Sequence, residues 1–556
     1  LKLKKLLPND PWTEGPTWRR YDDGSWYLPE KSLAWGLVDW FVEYLRSPDG
    51  EGEFWPTQEQ MRWLLWFYAV DDQGKYLYRQ ATMRRQKGAG KDVIAAVLAL
   101  AELCGPVAFS HFDEKGEPVG KQRFAPWVQL AAVTQEQTKN TSALFPALIT
   151  DKLKKEHRLE VCKTIIYSGT GGRIESLTAS PYAAEGNRPT FSVLNEGQWW
   201  FDTNNGHDLA SVIQGNITKT NGRLLNICNA HIPGENSVAE QDYDAYQLVK
   251  SGQAVDTGIL YDSLEAPAWT PISEIPAKDV DPEGYSQGIK KLREGLEIAR
   301  GDATWLNIDS IVNNILDVRT PVSESRRRFL NQINASEDSW IAPKEWDAIA
   351  ATSDALQLKP GDKITLGFDG SVTNDWTALV ACRVEDGFIS LIKAWNPEKY
   401  PGKEIPREDV DAVVRSTFDT YDVVGMRADV RFWESYIDQW TRDFRRSIKI
   451  NACPGKLLAY DMRGQNVKRV ALDCEAFLDA VLDEQIMHDN DPILRRHILN
   501  AKRAPTNWGT VSIRKASKDS SQKIDAAVCA VLAYGSRRDY LTSKRGSRTG
   551  KAVIIQ

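Results

Sequence analysis

The chain has no C-x-x-C pair: its seven cysteines, at positions 104, 162, 228, 382, 453, 474 and 529, stand singly. That absence excludes a zinc ribbon and a disulfide-stapled scaffold, and it predicts reduced thiols packed in cores. No apolar run approaches the roughly 20 residues that span a bilayer, and the opening LKLKKLLPND lacks the pattern of a cleavable signal. A soluble, intracellular protein with no membrane partner is expected. A large charge of either sign is also missing. The formal net charge of −6 excludes a uniformly basic nucleic-acid binder but leaves room for local basic patches. There is no internal repeat, and low complexity is confined to a Ser, Arg and Lys-rich tail. Three basic excesses, Arg326 to Arg328, Arg442 to Lys449 and Arg537 to Lys551, read first as solvated faces.

With 42% apolar and 26% charged residues the chain is globular, and its 556 residues are too many for one core. Residues 1–50, rich in Trp, Pro and charge, read as a lead-in with one amphipathic helix near Leu33 to Leu45. From Gln58 to about Ala230, strand-like runs alternate with helical ones, which predicts an α/β domain (51–325) with a mostly parallel sheet. A polar helix over Pro282 to Arg300, capped by Asp281, follows. Residues 326–360 read as a linker containing Pro343, Ser353 and Asp354. A second α/β domain (361–540) opens with the strand KITLGFDGS, and a basic tail (541–556) closes the chain.

The most informative local feature is RRQKGAGKD, Arg84 to Asp92, running into the apolar helix VIAAVLALAEL. A Gly-rich, cationic loop opening onto a helix N-terminus offers backbone N–H groups, a positive dipole end and the Lys91 ammonium to a phosphate. The pattern G-x-x-x-x-G-K-[ST] would place Gly at 85 and Ser or Thr at 92, where this chain has Arg85 and Asp92. Candidate nucleotide contacts are Arg85, Lys87, Gly88, Ala89, Gly90, Lys91 and Asp92.

A P-loop needs a partner strand ending in acids, which hold the metal and the attacking water opposite the phosphates. TFSVLNE supplies one, with Glu196 as the water-activating carboxylate and Asn195 where the metal-associated Asp is usual. The two departures are complementary: Asp92 brings an anion where a hydroxyl is usual, and Asn195 is neutral where an anion is usual. Asp92 is therefore expected to take over much of the neutralisation of Mg²⁺, with Asp92 and Asn195 both near the ion.

At this point the chain resembles the large subunit of tailed-bacteriophage terminases. TQEQMRWLLWFYAVD resembles the adenine-recognition segment, with Gln60 the favoured contact before Gln58. PWVQLAAVTQEQTKNTSALF and EGNRPTFSVLNEGQWW resemble the stretch leading to that family's second nucleotide motif and the motif itself. RLLNICNAHIPGENSVAE resembles its coupling segment, which puts Cys228 and Asn229 in the coupling motif. The resemblance implies an ASCE (RecA-like) ATPase domain. It leaves open whether Arg84 or Arg85 contacts DNA or phosphate, or acts as the family's inserted arginine.

In the second half three aspartates sit on three elements: Asp369 ends the first strand, Asp429 ends a later one (DVVGMRAD), and Asp525 opens a C-terminal helix. In an RNase H-like fold these positions converge. Such carboxylates bind two divalent cations, roughly 3.5 to 4 Å apart, which activate water against a phosphodiester. LGFDGS, MRADVRFW and QKIDAAVCAVLA also resemble the acidic motifs of the terminase nuclease. Asp375 is a weaker metal candidate with a turn-capping alternative, and Lys515 and Lys523 are candidates for DNA phosphates with a solvated alternative.

The resemblance implies a viral packaging motor: ATP-driven translocation of double-stranded DNA into a procapsid and metal-dependent cutting of concatemers. ATP with Mg²⁺ would serve the first site, and two Mg²⁺ or Mn²⁺ ions the second. Expected partners are DNA, the capsid portal, a small terminase subunit and further copies in a ring. The expected place is the cytoplasm of an infected bacterium, outside the mature virion. A helicase-nuclease or recombinase with an RNase H-like core, and a non-hydrolysing docking subunit with a degenerate ATP site, are the alternatives.

Overall fold

The computed structural model describes residues 13–543, apart from 163, 179–183, 253, 335–338, 352, 354–355, 372–374, 464–465, 507–508 and 516–521. Asp354 and the tail beyond 543 lie outside the described residues. The chain divides into two compact units, with the division between Asn334 and Ala335. Both are α/β.

In the first unit the strands are β1 (Thr13–Glu14), β2 (Gln80–Arg84), β3 (Ala108–Phe112), β4 (Pro118–Lys121), β5 (Trp127–Ala132), β6 (Glu160–Val161), β7 (Ile165–Tyr167), β8 (Arg173–Thr178), β9 (Phe191–Asn195), β10 (Arg223–Cys228) and β11 (Ile259–Leu264). Nine of them form one sheet in the order β1-β11-β2-β10-β9-β5-β8-β7-β6, and β3 and β4 form a separate hairpin. Neighbours from β11 across to β8 run parallel, and only the margins β1, β7 and β6 are antiparallel. Strands β2, β9 and β10 are buried along their whole length, as central parallel strands covered on both faces must be.

The first helices are α1 (Ala34–Tyr44), α2 (Gln58–Phe67), α3 (Lys91–Cys104) and α4 (Gln135–Ser142). Helix α3 is apolar nearly all round and correspondingly buried. Of residues 1–50, expected as a lead-in, the described part from Thr13 onward is built into this unit: β1 pairs with β11, and α1 buries Ala34, Leu37 and Phe41, spaced along one face. Asp281 caps the helix Pro282–Arg300 by accepting from the Gly284 N–H at 2.9 Å, as its place in the sequence predicted.

In the second unit β12 (Lys363–Asp369), β13 (Thr377–Arg383), β14 (Ile389–Trp395) and β15 (Asp422–Ala428) form a sheet in the order β14-β13-β12-β15. The β13–β14 hairpin closes through Gly387 at φ 78°, a conformation glycine adopts without strain. Strand β15 runs parallel to β12, and β16 (Lys502–Pro505) pairs with β17 (Val511–Arg514) apart from this sheet. The helix Asp525–Thr542 presses on β12 so closely that a Cβ on Gly367 would lie 1.9 Å from the Cys529 carbonyl oxygen. Among the described residues of 326–360, expected as a linker, much is packed: Val322–Phe329 is helical, and Trp340, Ile341, Trp346 and Ile349 are core residues of the second unit. Their size decides this, since four large apolar side chains gain far more buried than solvated.

All seven cysteines are free. Five are buried; Cys162 is exposed and Cys453 intermediate, a correction to the expectation that all lie in cores.

Candidate nucleotide and metal sites

The loop between β2 and α3 turns through two glycines in the left-handed region, Gly88 (φ 83°) and Gly90 (φ 81°). Lys91, buried, donates from Nζ to the backbone carbonyls of Arg85 and Gln86, each at 3.1 Å. Burial pushes its pKa down, opposed by the facing charges of Glu196 and Asp92. Ala89 donates its N–H to Gln86 O at 3.3 Å, and Lys87 donates its N–H to Arg328 O at 2.8 Å while its side chain is exposed.

Arg84 and Arg85 turn away from this loop. Arg84 reaches Asn331 O at 2.8 Å, Ser263 Oγ at 3.1 Å and Glu265 at 2.5 Å. Arg85 donates to Glu59 at 2.7 Å and pairs with the buried Asp262. Both guanidiniums are engaged in the interior, so it is the Arg85 carbonyl that serves the loop. The guanidinium of Arg85, a residue expected among the nucleotide contacts, is held by two long-range acids, Glu59 and Asp262.

Gln60 closes a capping box at the start of α2, accepting from the Thr57 N–H at 2.9 Å and donating its own N–H to Thr57 Oγ1 at 3.2 Å. It also lines a cavity of about 540 Å³ beside Gly88 and Gly90, together with Phe54, Trp55, Thr57, Asn140 and Trp305. The Trp305 indole donates to Gly88 O at 2.9 Å. Gln58 is exposed, outside this cavity.

Strand β10 lies between β2 and β9, pairing Cys228 with Arg84 and Ile227 with Asn195. The two ends that carry the candidate groups are thus held by one intervening strand. Asn195 ends β9, and Glu196 follows it in the left-handed region (φ 57°, ψ 51°). A non-glycine residue there stores backbone strain, a feature that concentrates at functional sites. Glu196 accepts from Gln198 Nε2 at 2.5 Å, and Gln198 Oε1 accepts the Asn229 N–H at 3.1 Å. Asn229 Nδ2 in turn donates to Arg85 O at 2.9 Å, the carbonyl that also receives Lys91. Cys228 is buried, and burial pushes its thiol up to about 12. Its thiol is therefore a protonated packing group, while the neighbouring Asn229 carries the polar contacts of this segment.

Asp92, in the first turn of α3, accepts from Thr141 Oγ1 at 3.2 Å; Thr141 accepts from Asn195 Nδ2 at 2.8 Å. Asp92 and Asn195 are therefore joined through one buried hydroxyl. Three residues that sequence reasoning did not single out enter the site: Thr141, Gln198 and Arg327. Arg327 was read with its neighbours as a solvated run, but it is buried, 4.8 Å over the Trp199 ring and facing Glu196 and Glu235. A pattern of i, i+2 from the acid, NEGQ, was the available signal for Gln198; nothing local marks Thr141.

In the second unit Asp369, at the end of β12, and Asp429, just past β15, are adjacent: the Asp429 N–H donates to Phe368 O at 2.9 Å. Asp525 opens the helix that crosses β12. Burial, then the charges of Asp525 and Asp429, push the Asp369 carboxyl well above its ordinary range. Burial pushes Asp525 up to about 6 and raises Asp429. Asp525 Oδ2 is buried with no hydrogen-bond partner, which is what a carboxylate shaped to take a cation presents. Among the described residues no three His, Cys, Asp or Glu side chains stand at full metal-holding spacing. Lys515 lies 4.0 Å from Asp525 and pairs with Asp375, which also accepts from Lys523 at 2.9 Å. Asp375 is thus held by two lysines, which outweigh its burial and lower its pKa.

No protein-family model matches the chain. It is 55% identical to the Gene 13 protein of Mycobacterium phage L5 and 53% identical to the Gene 13 protein of Mycobacterium phage D29, over 99% of each chain in both cases. Among solved structures it is similar to the HK97 bacteriophage large terminase, at 17% identity over 91% of this chain and 99% of that one, with a TM-score of 0.45.

Proposed function

The chain belongs to the family of the Gene 13 proteins of Mycobacterium phages L5 and D29, and on that premise we propose that it is a large terminase subunit, an ATPase and metal-dependent DNA endonuclease. One observation carries the reading. A P-loop whose lysine faces the acid after β9 is present in the same chain as three aspartates brought to one end of β12.

In the first site Lys91 and the N–H groups of the loop bind the phosphates, and the cavity beside Gln60 takes the base and sugar. Glu196 orients a water and receives its proton as the water oxygen attacks the γ-phosphorus; the bond to the β–γ bridging oxygen breaks and ADP leaves. Asp92, Asn195 and their buried surroundings fit a hard cation: Asn195 Oδ1 is buried without a hydrogen-bond partner. Magnesium bound with ATP would supply neutralisation of phosphate charge. Asn229 and Gln198 tie Glu196 to the segment after β10, the route by which hydrolysis would move DNA.

In the second site Asp369, Asp429 and Asp525 would hold two Mg²⁺ or Mn²⁺ ions, which supply an activated water and a stabilised leaving oxygen. Lys515 and Lys523 neutralise the cluster and, when Asp375 releases them, hold DNA phosphate. The biological reading follows: translocation of double-stranded DNA through a portal by copies assembled in a ring, with a small terminase subunit, inside an infected bacterium. Among the described residues no helix is long and apolar enough to cross a membrane.

Phosphate release and plasmid cleavage measured on one purified preparation test this. Lys91→Ala abolishes hydrolysis and leaves cleavage intact, and Asp525→Asn does the reverse. Loss of both activities in either variant, or of neither, overturns the two-site reading.

A further inference from the structure

The P-loop lacks the hydroxyl that normally follows its lysine, because position 92 is Asp. We propose that Thr141, from α4, supplies that hydroxyl, so that Thr141, Asp92 and Asn195 together form the protein's half of the divalent-cation site that accompanies the nucleotide. The inference rests on the ATPase reading and extends it to a residue outside both nucleotide motifs.

Thr141 is fully buried. Its hydroxyl donates to Asp92 Oδ1 at 3.2 Å and accepts from Asn195 Nδ2 at 2.8 Å. A hydroxyl has one proton and two lone pairs; these bonds use the proton and one pair, and one pair is left for a cation. A few bonds away Asn195 Oδ1 is itself buried with no partner. Burying a polar oxygen unpaired is costly, so two spare acceptors beside a carboxylate form a set that hard, oxygen-preferring cations satisfy.

The arrangement also explains why both nucleotide motifs depart from pattern in the same chain. The usual set is a hydroxyl on the P-loop helix and a carboxylate on the acid strand. Here the carboxylate is on the helix (Asp92), the hydroxyl is on a different helix (Thr141), and the strand contributes a neutral amide (Asn195) that orients the hydroxyl by donating to it. Charge count and donor chemistry are conserved while their chain positions are exchanged. A threonine that merely plugged a gap would not need its hydroxyl shared between the two residues that depart from pattern.

The test reads metal binding apart from turnover. The affinity of Mn²⁺ for the full chain saturated with a non-hydrolysable ATP analogue is measured by electron paramagnetic resonance. Analogue affinity in EDTA and thermal stability are measured alongside. Thr141→Val is expected to weaken Mn²⁺ by about tenfold or more, with analogue affinity in EDTA within twofold of wild type; Thr141→Ser stays within twofold on both counts. Thr141→Cys exchanges a hard ligand for a soft one, so it weakens Mn²⁺ and strengthens nucleotide-dependent Cd²⁺ binding, a reversal that a packing role does not produce. Should Thr141→Val fail to fold, the Cys variant carries the same decision. Wild-type Mn²⁺ affinity in folded Val and Cys variants overturns the role of Thr141 while the ATPase reading stands. Wild-type protein that binds no analogue, or binds it equally well after Lys91→Ala, overturns the ATPase reading and this inference with it.

Discussion

Gln198 donates from Nε2 to the Glu196 carboxylate at 2.5 Å while its Oε1 accepts the Asn229 N–H at 3.1 Å. A primary amide carries both a donor and an acceptor, so Gln198 can hold the acid and the segment that follows β10 at once. The turn that carries it is pressed onto β10: a Cβ on Gly197 would lie 2.2 Å from Asn226 Oδ1. Gln198→Met keeps the volume and removes both bonds. It is expected to lower kcat for ATP hydrolysis by on the order of tenfold or more, with KM nearly unchanged, as the loss of a bond to a charged group implies. Steady-state kinetics decide it, and an unchanged kcat removes Gln198 from the mechanism.

Asp92 and Asn195 share Thr141, so their substitutions are expected to couple. Asp92→Ser and Asn195→Asp each lower ATPase singly. The double variant restores the usual distribution of charge and recovers about tenfold over the product of the single effects, within the range seen for residues in one network. A double variant equal to that product shows that the two positions act independently.

Arg85 is expected to act structurally, through its ion pairs with Glu59 and Asp262. Arg85→Ala leaves Asp262 buried without its cation and is expected to cost about 3–5 kcal/mol of stability in the first unit. Urea denaturation followed by hydrogen exchange of β2 and β11 amides measures it. If stability holds and ATP affinity falls, the guanidinium is a phosphate ligand after all.

On the proposed two-metal role of the acidic cluster, cleavage is expected to depend on added cation: EDTA is expected to abolish cutting and Mn²⁺ or Mg²⁺ to restore it. Asp369→Asn and Asp525→Asn each reduce it at least about a hundredfold, more than loss of an outer-shell partner costs. Cleavage that persists in EDTA would exclude a metal nuclease.

The second unit is expected to weaken in mild acid through His488. Its Nε2 donates to Trp346 O at 2.9 Å, its Nδ1 accepts the Asn490 N–H at 3.0 Å, and its ring stacks on Trp346 at 4.1 Å. The bonded form is neutral, and burial lowers its pKa from 6.5 to about 4. Because the folded pKa is the lower one, the unfolded chain binds the proton first: the contribution is complete above pH 6.5 and lost as pH falls from 6.5 to about 4. The loss amounts to about 3 kcal/mol at most. His497, lowered to about 3 by burial and accepting the Ala526 N–H at 3.0 Å, adds to the same slope. Thermal melts of wild type and His488→Gln across that window check it: the variant loses part of the slope, and equal slopes would rule His488 out.

Much was legible in the sequence because its signal is local. Gly88, Gly90 and Lys91 had to lie between a strand and an apolar helix, since only that spacing puts N–H groups and an ammonium on one turn. The β13–β14 hairpin and the N-cap at Asp281 follow from short-range turn and capping chemistry. Asp369, Asp429 and Asp525 were marked by their places at element ends, where a side chain is free to face a ligand.

Tertiary structure alone decided which way the polar side chains turn and what they meet. Arg84 and Arg85 follow a strand into a loop, and the sequence leaves DNA, phosphate or an inserted-arginine role open for them; Glu59, Asp262 and Glu265 draw them inward from positions 26 to 181 residues away. Thr141 meets Asp92 across 49 residues and Asn195 across 54, and no periodicity records such a meeting. Backbone pattern is set by neighbours within a turn or a pleat, so one sequence suffices to read it. The partner of a buried polar group is set by whichever distant element packs over it, because leaving that group unpaired costs more than any local preference.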